Sequence, residues 1–166
     1  MAKHLKVGQI MVVDLFDSRL ELAKEFGATH TFNAKDEGAG LVDKVKKASS
    51  KGIGCDYAFD ATGNVRALKS AWECIRNYGH VCSAGTPGPG VAPPVEIHDA
   101  VILSKIYSGL CEGDSDLTTF LPFLIELYQK GEFPVDRISQ TYTVDKFDDA
   151  LHAMHDGSVI KPIILL

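Results

Sequence analysis

The sequence predicts an α/β protein built on a doubly wound parallel sheet. Short apolar segments alternate with amphipathic ones along all 166 residues. Two of the short segments, residues 9–14 and 55–60, end in an aspartate, and a Gly/Pro-rich stretch follows a third at residues 85–94. Strands that are separated by helices favour parallel pairing with right-handed crossovers. These observations together indicate the fold class.

The first half of the chain shows the alternation in order. A strand at residues 9–14 precedes a helix from Ser18 to Phe26, which Gly27 ends. A strand at residues 30–33 precedes a helix with an apolar stripe at helical spacing: Leu41, Val42, Val45 and Ala48. After the strand at residues 55–60, Asn64 can cap a helix whose apolar face is Val65, Leu68, Ala71, Trp72 and Ile75. Residues 80–84 form the strand that leads into the Gly/Pro loop.

The second half continues the pattern. Residues 102–111 have strand character, and Asp114 or Ser115 can cap the next helix, which Gly131 ends. The apolar side of that helix is Leu117, Phe120, Leu121, Leu124 and Leu127. A strand at residues 141–143 precedes a helix at residues 145–155 with Phe147, Leu151 and Met154 facing inward, ended by Gly157. Residues 159–166 form the last strand, in which Pro162 indicates an edge position or one whose N–H is not needed.

Composition narrows the class of protein. The chain is 45% hydrophobic with a net charge of −5, which argues against nucleic acid and anionic membrane as partners. The only basic cluster, at Lys44, Lys46, Lys47 and Lys51, lies near a predicted helix end and is typical of a solvated face. No apolar run is long enough to span a bilayer, and the first residues lack the apolar h-region of a signal peptide. Four cysteines without a C-x-x-C pair fit reduced thiols in a cytoplasmic protein.

The aspartate at position 14 has the context of a nucleotide site. In a dinucleotide-binding unit, an acid at the end of the second strand accepts hydrogen bonds from the adenosine ribose. The alternative is a solvated acid at a strand end. The glycine-rich phosphate loop should lie about 20 residues upstream, but Asp14 is only the fourteenth residue and Gly8 is the only glycine before it. We therefore expect a Rossmann-like sheet that lacks its first strand and its phosphate loop.

Several segments together resemble the cofactor domain of zinc-dependent medium-chain alcohol dehydrogenases. They are residues 10–14 with Ser-Arg-Leu-Glu-Leu-Ala at 18–23, Phe-Gly-Ala-Thr-His at 26–30, and residues 56–63, 79–86 and 161–164. The stretches at 112–115 and 127–134 are most similar to the aryl- or benzyl-alcohol dehydrogenase branch. The resemblance implies that residues 1–166 form a partial NAD-binding domain, without the GroES-like catalytic domain that carries zinc in the family.

The resemblance also implies a set of cofactor-binding residues. Asp14 selects NAD over NADP because it repels a 2′-phosphate, and Arg19 is either a second ribose contact or a surface charge. Two segments match those whose backbone holds the nicotinamide, namely Ala84, Gly85 and Thr86, and Leu110 and Cys111, while Lys161 matches a basic position near the pyrophosphate. Ala61, Thr62 and Gly63 follow a strand end, beyond which open α/β sheets bind their ligands. Gly63 allows close approach of the cofactor, or a turn that needs positive φ, or both. The alternatives are a loop start for residues 84–86, an edge strand for Leu110 and Cys111, and a strand-end charge for Lys161; the joint occurrence of the first two segments favours a cofactor site there.

No catalytic residue and no metal ligand can be assigned. His152 and His155 are three apart on a predicted helix, but no Cys or carboxylate completes a site, so we expect them to face solvent. The chain is expected to be an inactive part of an NAD- and zinc-dependent alcohol dehydrogenase, with NAD binding weak or lost. The alternative is a non-catalytic nucleotide-binding or oligomerisation module.

The strand order predicts self-association. In the 3-2-1-4-5-6 order the missing strand lies between residues 9–14 and residues 55–60, so each of these strands presents an unpaired edge. The two strands could close on each other, or a strand could come from another chain or from a segment outside this sequence. The strand from Ser104 to Cys111 is where the relatives pair edge to edge, so we expect a homo-oligomer.

Overall fold

A computed structural model describes residues 1–166, which form two compact units at residues 2–115 and 116–166, with Met1 grouped with the second. The first unit runs β1 (Met11–Asp14), α1 (Asp17–Glu25), β2 (His30–Asn33), α2 (Ala34–Glu37), α3 (Leu41–Ala48), β3 (Cys55–Asp60), α4 (Val65–Cys74), β4 (Ile75–Ser83), α5 (Ile97–Ile102) and β5 (Ile106–Gly109). The second runs α6 (Leu117–Gln129), β6 (Ser139–Thr143), α7 (Phe147–Asp156) and β7 (Lys161–Leu165). None of these helices has the length and apolar character needed to cross a membrane.

All strand pairs are parallel, which confirms the predicted α/β class. The strands form three groups, in the orders β1-β2, β3-β4-β5 and β6-β7. β1 pairs only with β2, and β3 pairs only with β4, so each keeps one unpaired edge. This is the arrangement expected of a Rossmann-like sheet without its central strand.

Two apolar clusters organise the first unit. Leu68, Trp72, Ile75 and Val81 pack between α4 and one face of the three-stranded sheet, and Trp72 is only 2% exposed. Leu41, Val45 and Cys74 form the second cluster, which Met11 of β1 and Cys55 of β3 both contact. The second cluster therefore joins β1 and β3 through side chains although their backbones do not pair.

The other face of the three-stranded sheet carries exposed apolar side chains. Tyr57, His80 and Ile106 lie side by side in the register of β3, β4 and β5. Tyr57 is 79% exposed and Ile106 is 52% exposed. His80 Nε2 lies 2.7 Å from the hydroxyl of Ser108 on the next strand. The helices of this unit thus cover the face that Val81 occupies and leave this one open.

Local signals placed most of the elements, and several predictions are confirmed. The strands at residues 30–33 and 55–60 have the expected bounds. Asn64 caps α4, since its side-chain oxygen accepts hydrogen bonds from Arg66 N at 2.9 Å and Ala67 N at 3.4 Å. Gly131 and Gly157 follow α6 and α7 with positive φ of 73° and 81°.

The predicted strand at residues 102–111 is too long. Ile102 ends α5, and Ser104 has a φ of 51°, so the chain turns before β5 begins at Ile106. The predicted cap of α6 is also wrong. Asp116 is the N-cap and accepts a hydrogen bond from Thr118 N at 3.0 Å, whereas Asp114 lies in a preceding 3₁₀ turn.

The predicted inward faces of α6 and α7 are largely exposed. Only Leu127 of α6 and Ala150 of α7 are buried. The predicted core residues with large exposed fractions are Leu117, Leu121, Phe147, Leu151 and Met154. The reason is that this unit contains only a two-stranded sheet, which is too small to cover the apolar sides of two helices.

Candidate functional site

The turn after β3 is organised by a buried carboxylate. Asp60, the last residue of β3, is 5% exposed. Its Oδ1 accepts hydrogen bonds from Thr62 N at 3.0 Å and from Thr62 Oγ1 at 2.7 Å. The hydroxyl of Thr62 in turn accepts from Asn64 N at 3.0 Å, which leads the chain into α4. Asp60 therefore positions the predicted site residues Ala61, Thr62 and Gly63.

Two glycines let this turn pack directly against the turn after β4. A Cβ atom added at Gly85 would lie 2.1 Å from Gly63 N, and one added at Gly63 would lie 2.8 Å from Thr86 O. Gly63 also has a φ of +65°. Of the two functions considered for Gly63, the structure therefore shows the tight turn directly, with the neighbouring backbone as the close contact.

A cavity of about 280 Å³ opens beside these turns. Gly63, Gly85 and Thr86 line it, together with Asp60 and the Gly/Pro loop at residues 87–93. The cavity lies beyond the carboxyl ends of parallel strands, where open α/β sheets bind their ligands. Gly63, Gly85 and Thr86 thus meet at one concave surface, whereas Ala61, Thr62 and Ala84 do not line it.

The remaining nicotinamide positions follow β5. Leu110 N donates a hydrogen bond to Ser83 O at 3.0 Å, so Leu110 continues the pairing of β5 with β4. Cys111 is exposed, and its backbone N–H donates to Asp114 Oδ1 at 3.3 Å. Ala84 closes the other side, where its N–H donates to Asp60 O at 2.8 Å. All three positions therefore lie at the carboxyl-terminal end of the three-stranded sheet.

A cluster formed by Asp14, Phe16, Arg19 and Lys35, which we call the Asp14 cluster, lies at the ends of β1 and β2. Asp14 Oδ1 accepts hydrogen bonds from Leu15 N at 2.7 Å and Phe16 N at 3.0 Å, while its Oδ2 accepts none. The Arg19 guanidinium carbon lies 4.7 Å from the centre of the Phe16 ring, and Lys35 Nζ lies 4.8 Å from it. Such distances are typical of cation–π contacts. Asp14 and Arg19, both predicted ribose contacts, thus belong to one cluster.

Lys161, the last predicted contact, is the first residue of β7 in the second unit and pairs in register with Ser139. Its side chain is exposed. His152 and His155 are exposed on α7 of the same unit.

Cys55 and Cys74 are packed thiols. Burial raises the pKa of Cys74 to about 12, and burial also raises the pKa of Cys55. Neither thiol is therefore a ready nucleophile or metal ligand at neutral pH. Nowhere in residues 1–166 do three His, Cys, Asp or Glu side chains form a group that could hold a metal ion.

Three residues that shape the cavity and the Asp14 cluster were not among the predicted site residues. Asp60 follows a strand and precedes Ala-Thr-Gly, so its local turn could have been recognised from spacing. Phe16 and Lys35 carry no such signal, because they are 19 positions apart and meet only through the β1–β2 register.

Comparisons with known proteins agree with this geometry. Residues 1–126 match a family described as zinc-binding dehydrogenase. The chain is 32% identical over 164 residues to geraniol dehydrogenase of Castellaniella defragrans, covering 99% of this chain and 43% of that enzyme. It is 28% identical over 165 residues to S-(hydroxymethyl)glutathione dehydrogenase of Haemophilus influenzae, covering 98% and 43%.

Solved structures agree as well. Benzyl alcohol dehydrogenase of Acinetobacter calcoaceticus superposes with a TM-score of 0.91 at 32% identity, over 98% of this chain and 44% of that one. A zinc-binding-domain alcohol dehydrogenase protein of Burkholderia ambifaria gives 0.88 at 32% identity, over 96% and 42%. The chain thus spans less than half the length of each of these relatives.

Proposed function

Because this chain belongs to the zinc-binding dehydrogenase family, we propose that it is the NAD-binding domain of an alcohol dehydrogenase that oxidises aryl alcohols to aldehydes. One observation carries the proposal: the chain brings an Asp14 cluster and a cavity beyond β3 and β4 into one compact unit. These are the positions where a Rossmann-like fold holds the two ends of a dinucleotide. The aryl substrate is supported by the likeness to benzyl alcohol dehydrogenase.

The residues present fit the adenosine half of NAD. Asp14 Oδ2 is free to accept hydrogen bonds from the ribose hydroxyls, because only Oδ1 is engaged by the backbone. A carboxylate at this point repels a 2′-phosphate, which favours NAD over NADP. Bound NAD would accept the hydride of the alcohol. The chain's own residues would bind and orient the cofactor.

We propose that the nicotinamide end lies in the cavity lined by Gly63, Gly85 and Thr86. The backbone groups of Ala61, Thr62, Ala84, Leu110 and Cys111 would then border it. Lys161 is proposed as the pyrophosphate contact. Without a glycine-rich loop the pyrophosphate has few N–H donors, so NAD binding to this chain should be weak.

The residues do not fit a zinc site, since the chain has no suitable group of three ligands. We therefore assign no catalytic step to these residues and propose that residues 1–166 alone do not oxidise alcohols. The alternative is a non-catalytic nucleotide-binding or assembly module. The presence of the Asp14 cluster and the cavity in one compact unit supports it equally. The two proposals differ in one property: joining the chain to a zinc-carrying catalytic domain of the family should restore alcohol oxidation only in the first.

An NMR titration of the chain with NAD and NADP tests the proposal at low affinity. NAD should shift the amide signals of residues 14–19 and 61–63, and Asp14→Ala should weaken its binding. Lys51→Met, which changes an exposed charge in the turn before β3, is the control. Tighter binding of NADP than NAD to the unaltered chain would contradict the role of Asp14. An absence of shifts at saturating NAD would refute the cofactor site.

We also propose that the chain self-associates through β5, which pairs only with β4 and has a free edge. Ile106→Lys places a charge at the exposed start of this edge and should lower the sedimentation mass. Val101→Lys is a matched control, since Val101 is also exposed, at 68% against 52% for Ile106, but lies on α5. A monomeric unaltered chain in analytical ultracentrifugation would contradict this proposal.

A further inference from the structure

The Asp14 cluster contains two cations that have no anionic partner in the chain. Neither Arg19 nor Lys35 forms an ion pair, and both contact the ring of Phe16 instead. Of the nearby acids, Glu37 pairs with Lys44, and Asp17 Oδ1 accepts a hydrogen bond from the neutral amide of Asn33 at 2.7 Å. Arg19 Nε is also buried without any hydrogen-bond acceptor. The cluster therefore contains two cations without an ion pair and one buried donor without an acceptor.

The fold brings these groups to one place. Asp14 and Asn33 are register partners at the carboxyl ends of β1 and β2. Phe16 lies two residues after Asp14, where it is the N-cap residue of α1, and Lys35 lies two residues after Asn33. Lys35 N donates to Asn33 Oδ1 at 3.0 Å, so the start of α2 is anchored to the end of β2. Phe16 is thus a platform that holds Lys35 and Arg19 beside the strand end that carries Asp14.

On the basis of the proposed nucleotide function, we propose that Lys35 is a specificity-determining residue of the adenosine site. With Arg19 it supplies the positive charge for a phosphate on the ribose 2′-oxygen. The carboxylate of Asp14, whose Oδ2 accepts no hydrogen bond, opposes this phosphate, and the charge of Asp17 adds to the opposition. The ligand class is adenosine nucleotides with or without a 2′-phosphate, and the choice between them depends on the balance between the two acids, Asp14 and Asp17, and the two cations.

The test compares 5′-AMP with adenosine 2′,5′-bisphosphate in NMR titrations of residues 1–166. In Asp14→Ser, the serine hydroxyl keeps an acceptor for the backbone while the negative charge is lost. This variant should bind the 2′,5′-bisphosphate more tightly than 5′-AMP, by about tenfold as expected for a charge-assisted contact. The unaltered chain should show the opposite preference.

Lys35 carries the decisive comparison. Lys35→Met in the Asp14→Ser background should lower affinity for the 2′,5′-bisphosphate by about three- to tenfold, as for one partly exposed charge contact. It should leave 5′-AMP affinity unchanged, and Lys35→Arg should restore the loss. Phe16→Leu keeps an apolar side chain but removes the aromatic ring. In the Asp14→Ser background it should, like Lys35→Met, reduce the preference for the 2′,5′-bisphosphate over 5′-AMP. Lys51→Met is the matched charge control and should have no effect.

The outcomes separate this inference from the proposed function. If 5′-AMP binds but Lys35→Met leaves 2′,5′-bisphosphate affinity unchanged, Lys35 has no role in specificity and the inference fails alone. If Lys35→Met weakens adenosine 3′,5′-bisphosphate equally, the effect is a general attraction of phosphate and the inference also fails. If no nucleotide shifts the signals of residues 14–19 in any variant, both the proposed function and this inference are overturned.

Discussion

Gly85→Ala tests the contact that shapes the candidate cavity. The added Cβ would lie 2.1 Å from Gly63 N and 2.7 Å from Thr62 N. All nearby atoms belong to the backbone of the neighbouring turn, so no side chain can rotate away. The two turns would have to separate by roughly 1.3 Å to reach ordinary van der Waals contact.

The expected loss follows from this geometry. Overpacking a close contact costs about 1–3 kcal/mol, and a clash with backbone belongs at the upper end of that range, about 3 kcal/mol. For a chain of this size that corresponds to a decrease of roughly 6–12 °C in Tm. Gly88→Ala is the matched control, because nothing lies within 4 Å of its added Cβ. It should change the free energy of unfolding by less than about 0.5 kcal/mol.

Urea denaturation followed by tryptophan fluorescence measures this difference. Trp72 is the only tryptophan and lies in the core of the same unit, so its emission reports the unfolding of the region that contains both turns. An urea midpoint for Gly85→Ala equal to that of the unaltered chain, with the same slope, would refute the close packing of the two turns.

Three further changes follow from single contacts. Asn64→Ala removes the cap of α4 and should lower the free energy of unfolding by about 1 kcal/mol in the same urea assay; no change would contradict the cap. Burial raises the pKa of Cys74 from 9.0 to about 12, so the folded chain keeps a proton that the unfolded chain loses. The free energy of unfolding should therefore fall as pH rises from 9 to 12, less steeply in Cys74→Ala, and equal slopes would argue against this burial. Lys105 is buried 3.6 Å from Asp99, so Lys105→Met should destabilise the chain less than Asp99→Asn, which leaves the buried ammonium without its carboxylate. The reverse order would contradict a buried ion pair.

Local sequence signals determined most element positions. The cap at Asn64 and the glycines at 131 and 157 act within one turn of the helix they begin or end, so neighbouring residues are sufficient to predict them. The strand–acid–helix pattern at Asp14 is equally local. The family resemblance extended the predicted site to positions such as Ala84 and Leu110, which have no recognisable pattern of their own.

The incorrect predictions concern which apolar side chains are buried against another element. Periodicity identified the apolar sides of α6 and α7, but it does not show whether another element packs on them, and Leu117 and Phe147 are half exposed. The length of the strand before Cys111 was wrong for a related reason. Its apolar residues fit a strand, yet Ile102 belongs to a helix and Ser104 to the turn that follows.

The candidate site was decided by contacts between distant residues. Gly63 and Gly85 are 22 positions apart, and only the parallel β3–β4 register brings their turns into backbone contact. Phe16 and Lys35 meet because Asp14 and Asn33 are register partners in β1 and β2. The sequence by itself determined the elements and the acid at Asp14, because these depend on neighbouring residues. Only the tertiary structure decided which strand ends share a cavity and which two cations meet on the Phe16 ring, because strand register is set by the packing of the whole unit.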